Sequence, residues 1–183
     1  IWDASGVDLI DQSGAAEGWY IILPNTQLTE LVNTKAGIGL PLSEINLAAP
    51  KSLAWMAGDI ENVVGSGFAD HIYGNDLSND IKGYAGDDLI HGGSGNDSLD
   101  GGVGNDLVLF SDVQSAYRFA LDGNTLIVSG QDGTDTLTNV EILRFGDAAP
   151  VLVSDWLATP QIEELITVLT NGVTTRILPD LYT

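Results

Sequence analysis

Gly92-Gly93-Ser94-Gly95-Asn96-Asp97-Ser98-Leu99-Asp100 runs directly into Gly101-Gly102-Val103-Gly104-Asn105-Asp106-Leu107-Val108-Leu109. Outward from this pair, glycine recurs every nine residues, at Gly65, Gly74, Gly83, Gly92 and Gly101. The sixth position of each unit is Asp70, Asn79, Asp88, Asp97 or Asp106, and the eighth is Ile72, Ile81, Ile90, Leu99 or Val108. A fixed internal period dictates architecture ahead of local propensity. Glycine tolerates left-handed backbone angles and leaves carbonyls open to close approach, so the first six residues of a unit are expected to turn. The last three form a short strand with one inward apolar residue. Two units then make one coil, and stacked coils bury a ladder of Ile and Leu between two small parallel sheets. A flexible Gly/Asp linker would not hold Ile or Leu in strict phase.

Stacking crowds the acidic positions. Strands stack roughly 4.8 Å apart, and units two apart share an edge. Asp70, Asp88 and Asp106 therefore line one edge, and Asn79 and Asp97 the other. Carboxylates that close repel by about 1 kcal/mol or more each. A hard divalent cation removes that repulsion. Calcium suits it, because it takes six to eight oxygens, carbonyls included, in flexible geometry, whereas magnesium demands tighter octahedral geometry.

These residues resemble the G-G-x-G-x-D-x-U-x repeat of RTX (hemolysin-type) calcium-binding proteins. More closely, the chain resembles the C-terminal β-roll domain of serralysin-type metalloproteases and related type I secreted exoproteins. Residues Ile1-Trp2-Asp3-Ala4-Ser5-Gly6-Val7-Asp8-Leu9-Ile10-Asp11-Gln12-Ser13-Gly14 are similar to their W-D-x-G-G-x-D-T-I-D-x-S entry. Ile60-Glu61-Asn62-Val63-Val64-Gly65 is similar to their I-E-N-x-x-G lead-in. Asp132-Gly133-Thr134-Asp135-Thr136-Leu137-Thr138-Asn139-Val140-Glu141, ending in Phe145-Gly146-Asp147, resembles a segment that often follows such rolls. The likeness spans roughly residues 1–150.

The resemblance implies an all-β parallel β-roll with N-terminal coils and a C-terminal antiparallel β cap, binding several calcium ions. It implies carbonyl ligands at the second and fourth positions of a unit and a carboxylate at the sixth. These fall on Gly93, Gly95 and Asp97, on Gly102, Gly104 and Asp106, and on Tyr84, Gly86 and Asp88, behind the leading glycines Gly83, Gly92 and Gly101. The first copy supplies Ser66, Phe68 and Asp70, with Asp59 and Glu61 from the lead-in. The entry segment would place Asp3, Ser5, Gly6 and Asp8 on a separate ion. The chain departs from the pattern where Asn79 replaces Asp, which implies a weaker site, and where Phe68 and Leu77 replace the fourth-position glycine.

Composition limits the function. The formal charge is −20, from 6 Lys+Arg against 26 Asp+Glu, which argues against nucleic-acid binding, since that needs clustered cations. There is no cysteine, so neither a disulfide nor a thiolate metal site is available, and bound calcium is the expected source of stability. With 44% hydrophobic residues, disorder is expected only of the calcium-free chain. No stretch of eighteen apolar residues spans a membrane. The chain opens at Ile1 without Met or a signal peptide and reads as a segment of something larger. His71 and His91 do not form H-E-x-x-H and read as surface residues, and no G-x-S-x-G, Walker A loop or dinucleotide fingerprint is present. No catalysis is expected from this segment; an activity such as that of a metalloprotease, lyase or epimerase would belong to the rest of the parent protein.

Four segments are expected. Residues 1–58 form an N-terminal entry and cap, with short strands near Trp19–Leu23 and Ser52–Ala57 and a loop at Gly37-Ile38-Gly39-Leu40-Pro41. Residues 59–111 form the roll. Residues 112–150 form a strand cap, with a hairpin of Tyr117–Leu121 and Thr125–Ser129 around Asp122-Gly123-Asn124 and a third strand over Asn139–Phe145. Asp132 and Asp135 sit in a Gly-containing loop that is either a plain polar turn or a further ion site. In 151–183, Thr159-Pro160 is a fair helix start, and Ile162, Leu165, Ile166 and Leu169 have helical spacing. This tail packs on the cap, faces a partner or serves as a secretion signal.

The expected function is that of a calcium-binding RTX module of a secreted bacterial protein. It folds on calcium outside the cell and supports type I secretion and the stability of an attached catalytic or adhesive domain. Its partners would be that domain and the secretion machinery. The alternatives are a calcium-dependent adhesion or carbohydrate-binding module, with a glycan as partner, and an accessory module of a polysaccharide-active enzyme. Trp2, Trp19, Trp55 and Trp156 could stack on sugars, though burial under the caps is the expected use.

Overall fold

The computed structural model describes residues 7–24, 37–45, 52, 54–56, 58–154, 168–170 and 173–177. Before the repeats come β1 (Leu9–Asp11), β2 (Trp19–Ile22), β3 (Gly37–Pro41) and β4 (Ala54–Met56). The repeat region contributes β5 (Asn62–Val64), β6 (His71–Tyr73), β7 (Asp80–Lys82), β8 (Leu89–His91), β9 (Ser98–Asp100) and β10 (Leu107–Phe110). Beyond it lie β11 (Arg118–Asp122), β12 (Thr125–Ser129), β13 (Thr134–Thr138), β14 (Ile142–Phe145), β15 (Val151–Leu152), β16 (Val168–Thr170) and β17 (Val173–Ile177).

Alternate repeats join alternate sheets, as the nine-residue half-coil requires. One sheet runs β1-β5-β7-β9-β13-β12-β11-β17-β16, and the other β15-β14-β10-β8-β6-β2-β3-β4. The pairs β1–β5–β7–β9–β13 and β2–β6–β8–β10–β14 are all parallel. Each three-residue strand turns only its central side chain inward. Register then aligns Ile10, Val63, Ile81, Leu99 and Leu137 in one column, and Ile21, Ile72, Ile90, Val108 and Leu143 in the facing one. All but Ile10 are at most 1% exposed. Burying such a side chain is worth roughly 1.5–3 kcal/mol, so the two columns form the core that the sequence period encodes.

At the N-terminal end the parallel stack passes into antiparallel pairs, β2 with β3 and β3 with β4. Residues Gly37–Pro41, expected to be a loop because of their glycines and proline, are thus a strand. Gly37 serves close approach, since a Cβ on it would lie 2.5 Å from Ile22 O, whereas one on Gly39 would make only ordinary contact with the Trp19 ring and Met56 at 3.8 Å. The strand expected near Ser52–Ala57 is present as β4.

At the C-terminal end the expected hairpin forms, with Asp122 opposite Thr125 and Gly123 in the left-handed region at φ 60°. β13 joins this hairpin antiparallel through β12 while also pairing parallel with β9. The third expected strand, β14, pairs parallel with β10, so both strands continue the roll as well as the cap. Phe110, Tyr117, Phe119 and Phe145 close the core, with ring centroids 5.0–5.7 Å apart. In the tail, Leu169 lies in β16, so the helical spacing does not reach it; residues 155–167 lie outside those described.

Candidate metal-binding site

Each turn presents its sixth residue to the preceding turn on the same edge. Asp88 Oδ1 accepts the backbone N–H of Asp70 at 2.8 Å, and Asp106 Oδ1 accepts that of Asp88 at 2.9 Å. On the other edge Asp97 Oδ1 accepts the N–H of Asn79 at 2.9 Å. The strand that follows repeats the bond: Leu89, Ser98 and Leu107 donate to the carbonyls of Asp70, Asn79 and Asp88 at 2.8–2.9 Å. The sequence-assigned edges are therefore the edges of the structure.

The ladder extends past the nine-residue array in both directions. Before it, Glu61 Oε2 accepts the N–H of Asp8 at 2.9 Å, and Asp70 Oδ1 accepts that of Trp19. After it, Asp135 Oδ1 accepts the N–H of Asp97 at 3.0 Å, and Glu141 Oε2 that of Asp106 at 2.9 Å. Asp135 is on β13 and 7% exposed, so it is a rung of the roll and not a residue of a plain polar turn. A signal for it was available: Gly130, Asp135 and Leu137 keep the offsets of glycine, carboxylate and apolar residue in the five units. The hairpin inserted after Phe110 breaks the period and hides it. Glu141 follows a shortened turn through Asn139, at φ 51°, and has one methylene more than Asp with which to reach its rung.

The second oxygens decide the chemistry. Asp88 Oδ2, Asp97 Oδ2 and Asp106 Oδ2 are buried without a hydrogen-bond partner, and the three residues are at most 1% exposed. Leaving a carboxylate oxygen so placed is costly. Burial, with neighbouring carboxylates adding to it, pushes Asp88 and Asp97 up to about 7 and Asp106 and Asp135 up to about 6. Burial raises Asp70 as well. The leading glycines make room for these oxygens: a Cβ on Gly83 or Gly92 would collide with Asp88 Oδ2 or Asp97 Oδ2, and one on Gly101 would lie 2.6 Å from Asp106 Oδ2. Among the described residues no three carboxylate or imidazole side chains gather as a metal cluster. A cation here would meet one or two carboxylates, and any further protein ligands would have to be backbone carbonyls of the turns. Buried carboxylate oxygens without a partner, with no nitrogen or sulfur ligand beside them, fit calcium.

The remaining candidates fall into place around these turns. Tyr84, Gly93 and Gly102 at position two have φ of 81°, 101° and 99°, and Gly86 and Gly95 at position four 126° and 115°. Tyr84 is 56% exposed, so its backbone and not its ring belongs to the turn, as does that of the exposed Gly104. Ser66 is buried, while Phe68 is 48% exposed, with its carbonyl oxygen 3.2 Å from Ser66 Oγ. Asp59 is exposed in the lead-in. Asp8 is drawn onto the ladder; Asp3, Ser5 and Gly6 lie outside the described residues, so the separate entry ion has no described site.

Both histidines are half-buried on the outer face of the second sheet rather than fully surface-exposed. Tyr73 stacks on His91 at 6.2 Å, and His91 Nε2 lies 3.0 Å from Ser111 Oγ.

A family model described as the RTX calcium-binding nonapeptide repeat matches in four copies, over residues 57–76 and 73–108. Residues 57–108 are an array of RTX calcium-binding repeats. The RTX ladder built from them runs on, in space, to Glu141. Among matching solved structures is the extracellular lipase LipA from Serratia marcescens, at 23% identity and a TM-score of 0.46, covering 51% of this chain and 16% of the lipase. This chain thus corresponds to a small part of that protein's length. No curated protein sequence matches the chain.

Proposed function

We propose that this RTX module is a calcium-operated folding switch of a secreted bacterial protein, supporting type I export and the stability of an attached catalytic or adhesive domain. The observation that carries the reading is the regular series of buried, unpartnered oxygens at Asp88, Asp97 and Asp106. A chain of charge −20 with such positions resists collapse until cations neutralise them. Extracellular calcium modules bind at about 0.1–1 mM, so free calcium distinguishes the inside of a cell from the outside, and stability rises with it by linkage. The residues that would hold calcium are Asp88, Asp97 and Asp106 with the carbonyls of their turns; the ion supplies charge neutralisation and cross-linking of neighbouring coils. The module itself performs no catalysis on this reading.

Far-UV circular dichroism of chelator-treated protein, titrated with calcium and separately with magnesium, tests it. A cooperative gain of β signal specific to calcium is expected; a chain fully β in chelator would overturn the switch.

A second reading, a glycan-binding role, has one observation in its favour. A groove of about 610 Å³ on the flank of the roll is lined by Tyr73, Asn75, His91, Gln131 and Asp132 among others, a mix of rings and polar groups suited to a sugar. Glycan-array binding that disappears in Tyr73→Ala would move this reading to first place.

A further inference from the structure

The five turns of the array are of two kinds. Those ending in Asp88, Asp97 and Asp106 have a left-handed residue at position two, namely Tyr84, Gly93 or Gly102, and each leaves Oδ2 of the sixth residue without a partner. The turns ending in Asp70 and Asn79 carry Ser66 and Asn75 at position two, neither of them left-handed. There the position-two N–H swings onto the sixth side chain: Ser66 N donates to Asp70 Oδ2 at 2.6 Å, and Asn75 N to Asn79 Oδ1 at 3.0 Å. The position-two side chain in turn accepts from position four, Phe68 N to Ser66 Oγ at 3.2 Å and Leu77 N to Asn75 Oδ1 at 2.9 Å. That explains why these two copies do without glycine at the fourth position.

The oxygens facing these two turns are already served by protein donors. Asp70 Oδ1 accepts the N–H of Trp19 and Oδ2 that of Ser66, and the Ser66 hydroxyl lies 3.0 Å from both oxygens with one proton to give. Asn79 Nδ2 donates to Glu61 O at 3.1 Å and to Asn75 Oδ1 at 3.1 Å. Asn75 Nδ2 donates to Pro24 O and Ile60 O at 2.9 Å each. The Asn75–Asn79 turn is thus filled by amide donors, which an oxygen-seeking cation would have to displace.

We infer that the array takes cations at the turns of Asp88, Asp97 and Asp106 and none at the turns of Asp70 and Asn79, where Ser66 and the Asn75–Asn79 amide pair replace the ion with hydrogen bonds. This rests on the calcium-binding reading and sharpens it. The N-terminal coils, 60–82, are then the part of the roll that assembles without calcium, and the coils after Gly83 are added to it as ions arrive. Asp70, although it matches the sixth-position pattern, is a structural carboxylate here, and Asn79 is a built-in substitute for a ligand site rather than a weakened one.

The test is to count calcium ions per full chain by native mass spectrometry at saturating calcium, with circular dichroism confirming the fold of each variant. Asp97→Asn should carry one ion fewer than wild type, and Asp70→Asn the wild-type number. The triple variant Asn75→Gly, Leu77→Gly, Asn79→Asp rebuilds the open turn and should carry one ion more. Hydrogen exchange of the wild-type chain in chelator gives a readout that needs no variant: amides of 60–82 should stay protected while those of 83–109 exchange freely. Loss of an ion in Asp70→Asn, an unchanged count in a folded triple variant, or uniform exchange along the array would overturn the inference while leaving calcium binding standing. A wild-type chain that holds no calcium would instead overturn the reading beneath it.

Discussion

The backbone N–H of Asp97 donates to Asp135 Oδ1 at 3.0 Å across 38 residues of chain, the same bond that Asn79 N–H makes to Asp97 Oδ1 across 18. Two further bonds repeat with it. Thr136 N donates to Asp97 O at 2.8 Å, as Ser98 N does to Asn79 O, and Gly95 N donates to Asp132 O at 2.7 Å, as Gly86 N does to Val103 O at 2.9 Å. Residues 130–138 are therefore a further repeat by geometry, delayed in sequence by the hairpin.

That delayed repeat is open to a direct check. Gly133 has φ of 148°, and a Cβ on it would collide with Gly95 O. Gly133→Ala should separate the two turns and lower the thermal midpoint at saturating calcium by several degrees. An unchanged midpoint would mean that 130–138 does not stack as described.

The ligand map makes a paired prediction. Asp97→Ala removes a buried, unpartnered oxygen and should weaken calcium binding at least tenfold, about 1.4 kcal/mol. Asn79→Ala removes amide hydrogen bonds and should cost stability with less than a threefold change in affinity. Calorimetric titration of both variants checks this, and equal losses of affinity would count against the map.

Tyr84 occupies a left-handed position, φ 81°, that Gly93 and Gly102 fill in the neighbouring units. Such backbone costs a non-glycine residue about 1–3 kcal/mol, and its ring lies mostly in solvent. Tyr84→Gly should raise the denaturation midpoint in calcium, the net gain being about 1 kcal/mol once the greater unfolded-state entropy of glycine is subtracted from the relieved strain. A lowered midpoint would show that the ring makes a contact worth more than the strain.

The inner columns tolerate no charge. Leu99 is 1% exposed between Ile81 and Leu137, and Leu99→Asp should prevent the β signal from appearing even at high calcium. Leu99→Ala, which leaves a cavity without a charge, should cost about 2–5 kcal/mol and still fold in excess ion. A Leu99→Asp chain with wild-type dichroism would contradict the packing.

Acidification should partly replace calcium. In the folded metal-free chain burial places Asp88 and Asp97 at about 7 and Asp106 and Asp135 at about 6, above the unfolded value near 3.9. The folded state therefore binds more protons than the unfolded one, and their contribution to stability is fully present below about pH 4 and lost as pH rises through about 6 to 7. Decalcified protein should gain β dichroism between pH 7.5 and 5, and calcium affinity should fall over the same interval as protons compete for the same oxygens. A flat response would show that these carboxylates are not buried in the metal-free chain.

What could be read from the residues follows the physics of the period. Ile72, Ile81, Ile90, Leu99 and Val108 and the two acidic edges followed from spacing alone, because a nine-residue half-coil leaves them no other place. The strands β13 and β14 were legible only in part. Their Asp135 and Glu141 were visible as acidic residues, but the inserted hairpin destroyed the phase that gives such residues meaning. Gly37–Pro41 misled in the opposite direction: Gly37 marks the close approach of backbones within a sheet. The difference between the two kinds of turn lay in Ser66 and Asn75, whose short polar side chains cap neighbouring backbone groups, and the repeat pattern treats that position as carbonyl alone.

The hairpin that leaves the stack after Phe110 and returns at Gly130 has an engineering consequence. A solenoid whose spine resumes in register after an inserted hairpin has a natural splice port at the hairpin's tip, where polypeptide can be exchanged without redesigning the strands that pair with the rungs. A peptide tag or small domain grafted in place of the Gly123-Asn124 tip would be held at both ends by the roll, and its presentation would become a property that the surrounding ion concentration turns on.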